Sequence, residues 1–91
     1  MKDGPWQLYI LRCGDGTLYT GIAVDAEKRL RQHRSGKGAK YTRGRGPLEM
    51  VYLEQCENHP QALRRELEVK KLTRAEKEVL IASWCTQKDL S

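Results

Sequence analysis

The stretch WQLYILRCGDGTLYTGI (residues 6–22) decides the fold of this chain. WQLYILRC (6–13) alternates as a strand, GDG (14–16) is turn chemistry, and TLYTGI (17–22) alternates again with Leu18, Thr20 and Ile22 on one parity. That is a β-hairpin. Asp25 follows as a helix N-cap, with Glu27 in the first turn where an acid complements the helix dipole. The helix predicted over about Ala26 to Arg34 carries an odd stripe. Ala26, Arg29, Leu30 and His33 share the i, i+3, i+4, i+7 spacing of one face, so a guanidinium and an imidazole sit where core residues belong. Two readings follow from the spacing: a solvated edge of the apolar seam, or a polar site turned toward the sheet.

Working outward, the helix stops near Gly36 and a basic loop occupies 35–46. PLEMVYLEQ (47–55) reads as a third strand with Pro47 at its start. Asn58 and Pro60 open a second helix reaching about Lys71. Its stripe of Leu63, Glu66, Leu67 and Lys70 places Glu66 between two leucines. A carboxylate there is unfavourable to bury without a cation or donors, and the plain alternative is an ion pair with Lys70 at i+4. Thr73 and Glu76 form the S/T-x-x-E capping box of a third helix, with Leu80, Ile81 and Trp84 predicted inward and a frayed tail over 85–91. The order ββαβαα describes a small α+β domain, a three-stranded antiparallel sheet flanked by three helices. One domain is expected over 1–91, with its core at about 5–84.

Ninety-one residues leave room for one small core, and with no Phe that core falls to Leu, Ile, Val, Trp and Tyr. No apolar run has the length of a membrane span, and the first residues lack the pattern of a signal peptide. Cys13, Cys56 and Cys85 are odd in number, far apart and never in a C-x-x-C pair, which argues for a reducing, cytoplasmic setting. Net charge is +5 and unevenly placed. Lys28, Arg29, Arg31, Arg34, Lys37, Lys40, Arg43 and Arg45 run without an intervening acid between Glu27 and Glu49. A charge run is often only a solvated face. Here glycines and Tyr41 are interleaved with the cations, so amides can approach phosphates and a ring can stack, which favours a nucleic-acid partner.

Other chemistries lack their residues. SGKG (35–38) does not have the spacing of a nucleotide-binding P-loop. His33 and His59 share no metal-ligand spacing with a cysteine. Neither Ser35 nor Cys13 has an identifiable base in the sequence.

Tyr9 and Tyr19 complete a pattern. QLY (7–9) and YTG (19–21), followed by EKRLRQH (27–33) and ALRRELEVKKLT (62–73), resemble the GIY-YIG nuclease superfamily, and in particular its small stand-alone bacterial members. The tripeptides are degenerate here, since Gln7 and Leu8 replace the family's Gly and Ile, and Thr20 replaces Ile in the second. The resemblance implies an endonuclease-like fold and a divalent-metal-dependent hydrolysis of DNA phosphodiester bonds, with a link to DNA repair or recombination. It implies Tyr9, Tyr19, Arg29, His33 and Glu66 as catalytic residues, Glu66 as the ligand of one Mg²⁺ or Mn²⁺, Arg29 on the scissile phosphate, and Tyr19 orienting the water with Tyr9 in support. DNA rather than RNA is the expected polymer, contacted by Lys37, Lys40, Tyr41, Arg43 and Arg45, and a protein partner could supply specificity. The alternatives are a non-catalytic nucleic-acid-binding module and an interaction subunit of a nuclease complex.

The hairpin tests this pattern. A two-residue Asp15-Gly16 turn would put the two tyrosines on opposite faces, because side chains alternate along a strand. A three-residue Gly14-Asp15-Gly16 loop sets Tyr9 opposite Gly21 and Tyr19 opposite Leu11, so both rings share a face as diagonal neighbours. The three-residue loop is expected. For the basic segment, replacing Lys37, Lys40, Arg43 and Arg45 with Ala should weaken DNA binding equally across sequences. It should also flatten the plot of log affinity against log salt by about one unit for each phosphate no longer neutralised. Fluorescence anisotropy over a salt series measures this, and an unchanged slope would reduce the segment to a solvated loop.

Overall fold

A computed structural model describes residues 5–35 and 47–90; the basic residues Lys37, Lys40, Tyr41, Arg43 and Arg45 lie outside the described residues. Strand β1 (Trp6–Arg12) and strand β2 (Leu18–Ala23) form the hairpin, followed by helix α1 (Ala26–Arg34). Strand β3 (Glu49–Cys56), helix α2 (His59–Lys70) and helix α3 (Arg74–Leu90) complete the order ββαβαα. The sheet is antiparallel throughout, with β1 central in the order β2-β1-β3.

The central position of β1 explains its unbroken apolar run. Leu8, Tyr9, Ile10 and Leu11 are all buried, because the sheet is covered on both faces. One parity of β1, Leu8 and Ile10, packs with Val51, Tyr52, Ala62, Val69 and Ile81 beneath α2 and α3. The other parity, Tyr9 and Leu11, packs with Ala26, Leu30 and Leu48 beneath α1. A bulge in β3 shifts the register between Ile10 and Leu11, so that Ile10 faces Tyr52 while Leu11 faces Met50. Val51 is thereby the extra residue, and it joins Tyr52 in the core beneath α2 and α3.

The hairpin has the expected three-residue loop. Cys13 N–H donates to Thr17 O at 2.8 Å, and Gly16 N–H donates back to Cys13 O at 2.9 Å. Gly16 holds φ at +89°, a left-handed conformation that a glycine adopts without steric penalty. Arg74 Nη2 donates to Gly16 O at 2.9 Å and Arg74 Nε donates to Glu78 at 2.9 Å, while Arg12 grips the same Glu78 through both carboxylate oxygens. The turn is thus tied to the first turns of α3. These side chains are a third to a half exposed, so water screens each pair, which acts mainly on orientation.

Helix starts follow the sequence signals. Asp25 accepts from Lys28 N–H, Asn58 accepts from Gln61 N–H, and Thr73 and Glu76 exchange both capping-box bonds. Two expectations need correction. The inward stripe of α2 is Ala62, Arg65, Glu66 and Val69; Leu63 and Leu67 are exposed, so Glu66 does not lie in a leucine seam. The small Ala62 allows α2 to approach the sheet, and Arg65 reaches Glu54 of β3, which fixes the helix rotation. In addition α3 runs to Leu90, through the tail expected to fray; 85–90 contains no Gly or Pro to stop a helix already anchored by Ile81 and Trp84.

Gly16→Ala should destabilise the domain by about 1–2 kcal/mol. A Cβ at Gly16 meets nothing within 4 Å, so the loss is conformational. Urea denaturation reads it, and a value near zero would mean that the turn relaxes freely.

Candidate active site

The hairpin register builds the site. Tyr9 lies opposite Gly21 and Leu11 opposite Tyr19, so both phenols stand on the α1 face of the sheet. Their ring centroids are 6.4 Å apart. Gly21 is a matter of space: a Cβ there would fall 2.6 Å from the Tyr9 hydroxyl oxygen and 2.8 Å from Cζ. The Tyr9 ring therefore lies directly over the Gly21 backbone, and the last letter of YTG is fixed by the tyrosine of the opposite strand.

Helix α1 delivers the next two groups. Its stripe faces the sheet, as in the second of the two readings: Ala26 and His33 are buried, Leu30 nearly so, and Arg29 half-buried. His33 Nε2 is 3.1 Å from the Tyr9 hydroxyl. The imidazole also meets Tyr19 edge-on, with centroids 5.3 Å apart. Arg29 Nη1 donates to Gln32 Oε1 at 2.9 Å, which holds the guanidinium from its own helix. Gln7, at the position of the missing family glycine, accepts the Ala26 N–H at 2.7 Å. It pins the start of α1 to β1. Its role could not be read from the sequence, because it depends on an approach across the fold.

Electrostatics connect these groups with Glu66. The Tyr9 phenol is pushed up to about 12, first by burial and then by the neighbouring Tyr19; the Arg29 guanidinium opposes this and the Glu66 carboxylate adds to it. Tyr9 thus feels Tyr19, Arg29 and Glu66 while touching His33. His33 is lowered from its ordinary value, by burial first and by the Arg29 charge second, so it is neutral at neutral pH. Glu66 is about one-fifth exposed and its Oε2 pairs with Lys70 Nζ at 3.2 Å. Of the five residues expected of the site, Tyr9, Tyr19, Arg29 and His33 gather on the α1 face, and Glu66 reaches Tyr9 through its charge. Lys70 joins them, at the i+4 spacing from Glu66.

No group of three or more His, Cys, Asp or Glu side chains gathers among the described residues. A cation bound here would rest on a single carboxylate, which suits a hard ion that retains water ligands. A larger groove of about 470 Å³ lies on the other flank of α1, between Leu30, Arg31, Met50, Leu53 and Trp84, and none of the five residues lines it.

The sequence model of the GIY-YIG catalytic domain matches residues 5–79. The chain belongs to the GIY-YIG family. A UPF0213 protein of Clostridium perfringens is 54% identical over 76 residues, 84% of this chain and 82% of the relative. UPF0213 protein YhbQ of Escherichia coli K12 is 50% identical over 78 residues, 86% of this chain and 78% of the relative. The solution NMR structure of a UPF0213 protein of Bacillus halodurans is 47% identical, with a TM-score of 0.56 over 86% of this chain and 83% of that one. The chain covers about four-fifths of the length of each of these relatives. No helix among the described residues is long and apolar enough to cross a membrane.

The lowered His33 has a consequence for stability. Above its ordinary value of 6.5 the ring is neutral in both folded and unfolded chains. As pH falls below that value the unfolded chain takes up the proton first, so stability declines until the folded ring titrates as well. His33→Gln should flatten this acid limb between pH 7 and the folded ring's lower value. Calorimetric melting across the pH series measures it; equal slopes in both proteins would mean that His33 titrates as in water.

Proposed function

We propose that this protein is a divalent-metal-dependent endonuclease that hydrolyses DNA phosphodiester bonds. One observation carries the reading: two phenols, a guanidinium and a neutral imidazole gather on the α1 face of the hairpin, and the largely buried Glu66 carboxylate of α2 acts on Tyr9 through its charge. A module that only bound nucleic acid would need cations. It would have no use for a carboxylate whose charge reaches the Tyr9 phenol, where it repels phosphate.

Hydrolysis requires a water to lose a proton, a pentavalent phosphate to be stabilised and a P–O bond to break with its electrons leaving on oxygen. Tyr19, the more open phenol, orients the water for in-line attack. Tyr9 is a weak base on its own, since its pKa stands at about 12. Its hydroxyl proton, however, faces a neutral imidazole at 3.1 Å. As the Tyr9 oxygen takes the water proton, it passes its own to His33 Nε2, in the tautomer that leaves Nε2 bare. Arg29 opposes the charge growing on the phosphate, and its planar fork, held by Gln32, suits two phosphate oxygens. Glu66 is the residue that would hold Mg²⁺ or Mn²⁺, which supplies charge neutralisation at the leaving oxygen. A connection with DNA repair and a cytoplasmic location accord with this reading and rest on the resemblance and on the three free cysteines.

Glu66→Gln preserves shape and removes the charge. Cleavage of a panel of linear and branched DNA substrates in Mn²⁺ should fall by at least about 100-fold, while DNA affinity in EDTA stays near that of the wild type. The loss of a partly exposed pair with Lys70 should change the melting temperature little. Added Mn²⁺ should raise the melting temperature of the wild type more than that of the variant. Equal cleavage by both proteins would remove Glu66 from the mechanism. A purified wild type inert with every divalent ion and every substrate would leave a binding module.

A further inference from the structure

We propose that the free edge of β2 carries a second phosphate-binding subsite, centred on Lys77 and flanked by Lys70 and Tyr19, through which the DNA strand runs away from the reacting phosphate. The inference rests on the nuclease reading and extends it by assigning a strand path that the sequence pattern did not mark.

A groove of about 260 Å³ opens beside the catalytic phenol, lined by Leu18, Tyr19, Thr20, Lys70 and Lys77. It is smaller than the ~300–1,000 Å³ of a pocket that engulfs a small molecule, and its form suits a chain that crosses it. β2 is an edge strand, so among the described residues this side of it pairs with no other strand. Lys70 comes from the last turn of α2, and Lys77 from the beginning of α3.

The charge balance of this groove is uneven. Lys70 is held by Glu66 at 3.2 Å. Lys77 is half-buried, and among the described residues it forms no ion pair, whereas the neighbouring Glu78 is taken by Arg12 and Arg74. A lysine that buries its stem and has no acid beside its ammonium keeps that charge available to an arriving anion. Tyr19 is shared by this groove and the catalytic cluster, where its ring packs against His33 and Tyr9. An anion seated at Lys77 is therefore adjacent to the site of chemistry, and a phosphodiester backbone is the polyanion that presents a second charge at such short range. Leu18 supplies an apolar wall against which a sugar can rest. The subsite thus orients the strand across Tyr19, which is what in-line attack requires of the substrate.

The test is binding, read separately from cleavage. Anisotropy of a labelled DNA oligonucleotide, single-stranded and duplex, is followed in EDTA over a salt series for the wild type, Lys77→Gln, Lys77→Glu and Lys77→Arg. Lys77→Gln should bind about fivefold more weakly, with the log–log salt slope reduced by about one unit. Lys77→Glu should lose more, and Lys77→Arg should stay close to the wild type. Melting curves establish that all four are folded, and amide shifts at Leu18 and Lys77 on adding the oligonucleotide locate the binding surface. Unchanged affinity and slope in folded Lys77→Gln and Lys77→Glu overturn the subsite, even if the wild type cleaves DNA. A reduced slope in a protein that never cleaves supports the subsite and overturns the nuclease reading. A wild type with no DNA affinity at all overturns both.

Discussion

The pairing of Tyr9 with Gly21 is the constraint on which the site depends. It needs a hairpin loop of odd length, because only that parity sends both tyrosines to one face, and Gly16 at φ +89° closes such a loop. It also needs the absence of a side chain at Gly21, since a Cβ would meet the Tyr9 hydroxyl at 2.6 Å. With both satisfied, the Tyr9 ring lies over the opposite strand and its hydroxyl meets the helix above. A slip of one residue would exchange the faces of β1 and bury Leu8 and Ile10 where Tyr9 now stands.

Helix α1 then becomes a lid of mixed character. Its apolar residues Ala26 and Leu30 join the core, while His33 and Arg29 on the same stripe enter the polar cluster. A buried imidazole and a half-buried guanidinium are tolerable because each has a polar neighbour: the Tyr9 hydroxyl for one, Gln32 for the other. Burial and the Arg29 charge together keep His33 neutral, the state in which it can accept a proton. The same packing that holds α1 on the sheet therefore sets the charge state of the imidazole. Gln7 secures the other end of the helix through its bond to Ala26.

Much of this was legible in the chain. Period-two alternation, the GDG turn, Asp25, Asn58 and the Thr73–Glu76 box are local signals, and local signals are set by neighbours in sequence. The α1 stripe was legible for the same reason, because helical spacing alone puts Arg29 and His33 beside Leu30. The α2 stripe misled. Leu63 and Leu67 have the spacing of a buried face and are exposed, since the rotation of α2 follows the small Ala62 and the Arg65–Glu54 pair rather than the count of leucines.

By itself the sequence left the hairpin parity between two loop lengths and determined the element order, the helix caps and the five polar residues that resemble a nuclease site. These follow from spacing along one chain, where periodicity and turn chemistry act within a few residues. Only the tertiary structure decided which face of α2 turns inward, that Gln7 holds the start of α1, that β3 bulges at Val51, and that Lys70 and Lys77 border a groove beside Tyr19. Each of these depends on the distance between groups many residues apart, and such distances are set by how helices settle on a sheet, which no local pattern encodes.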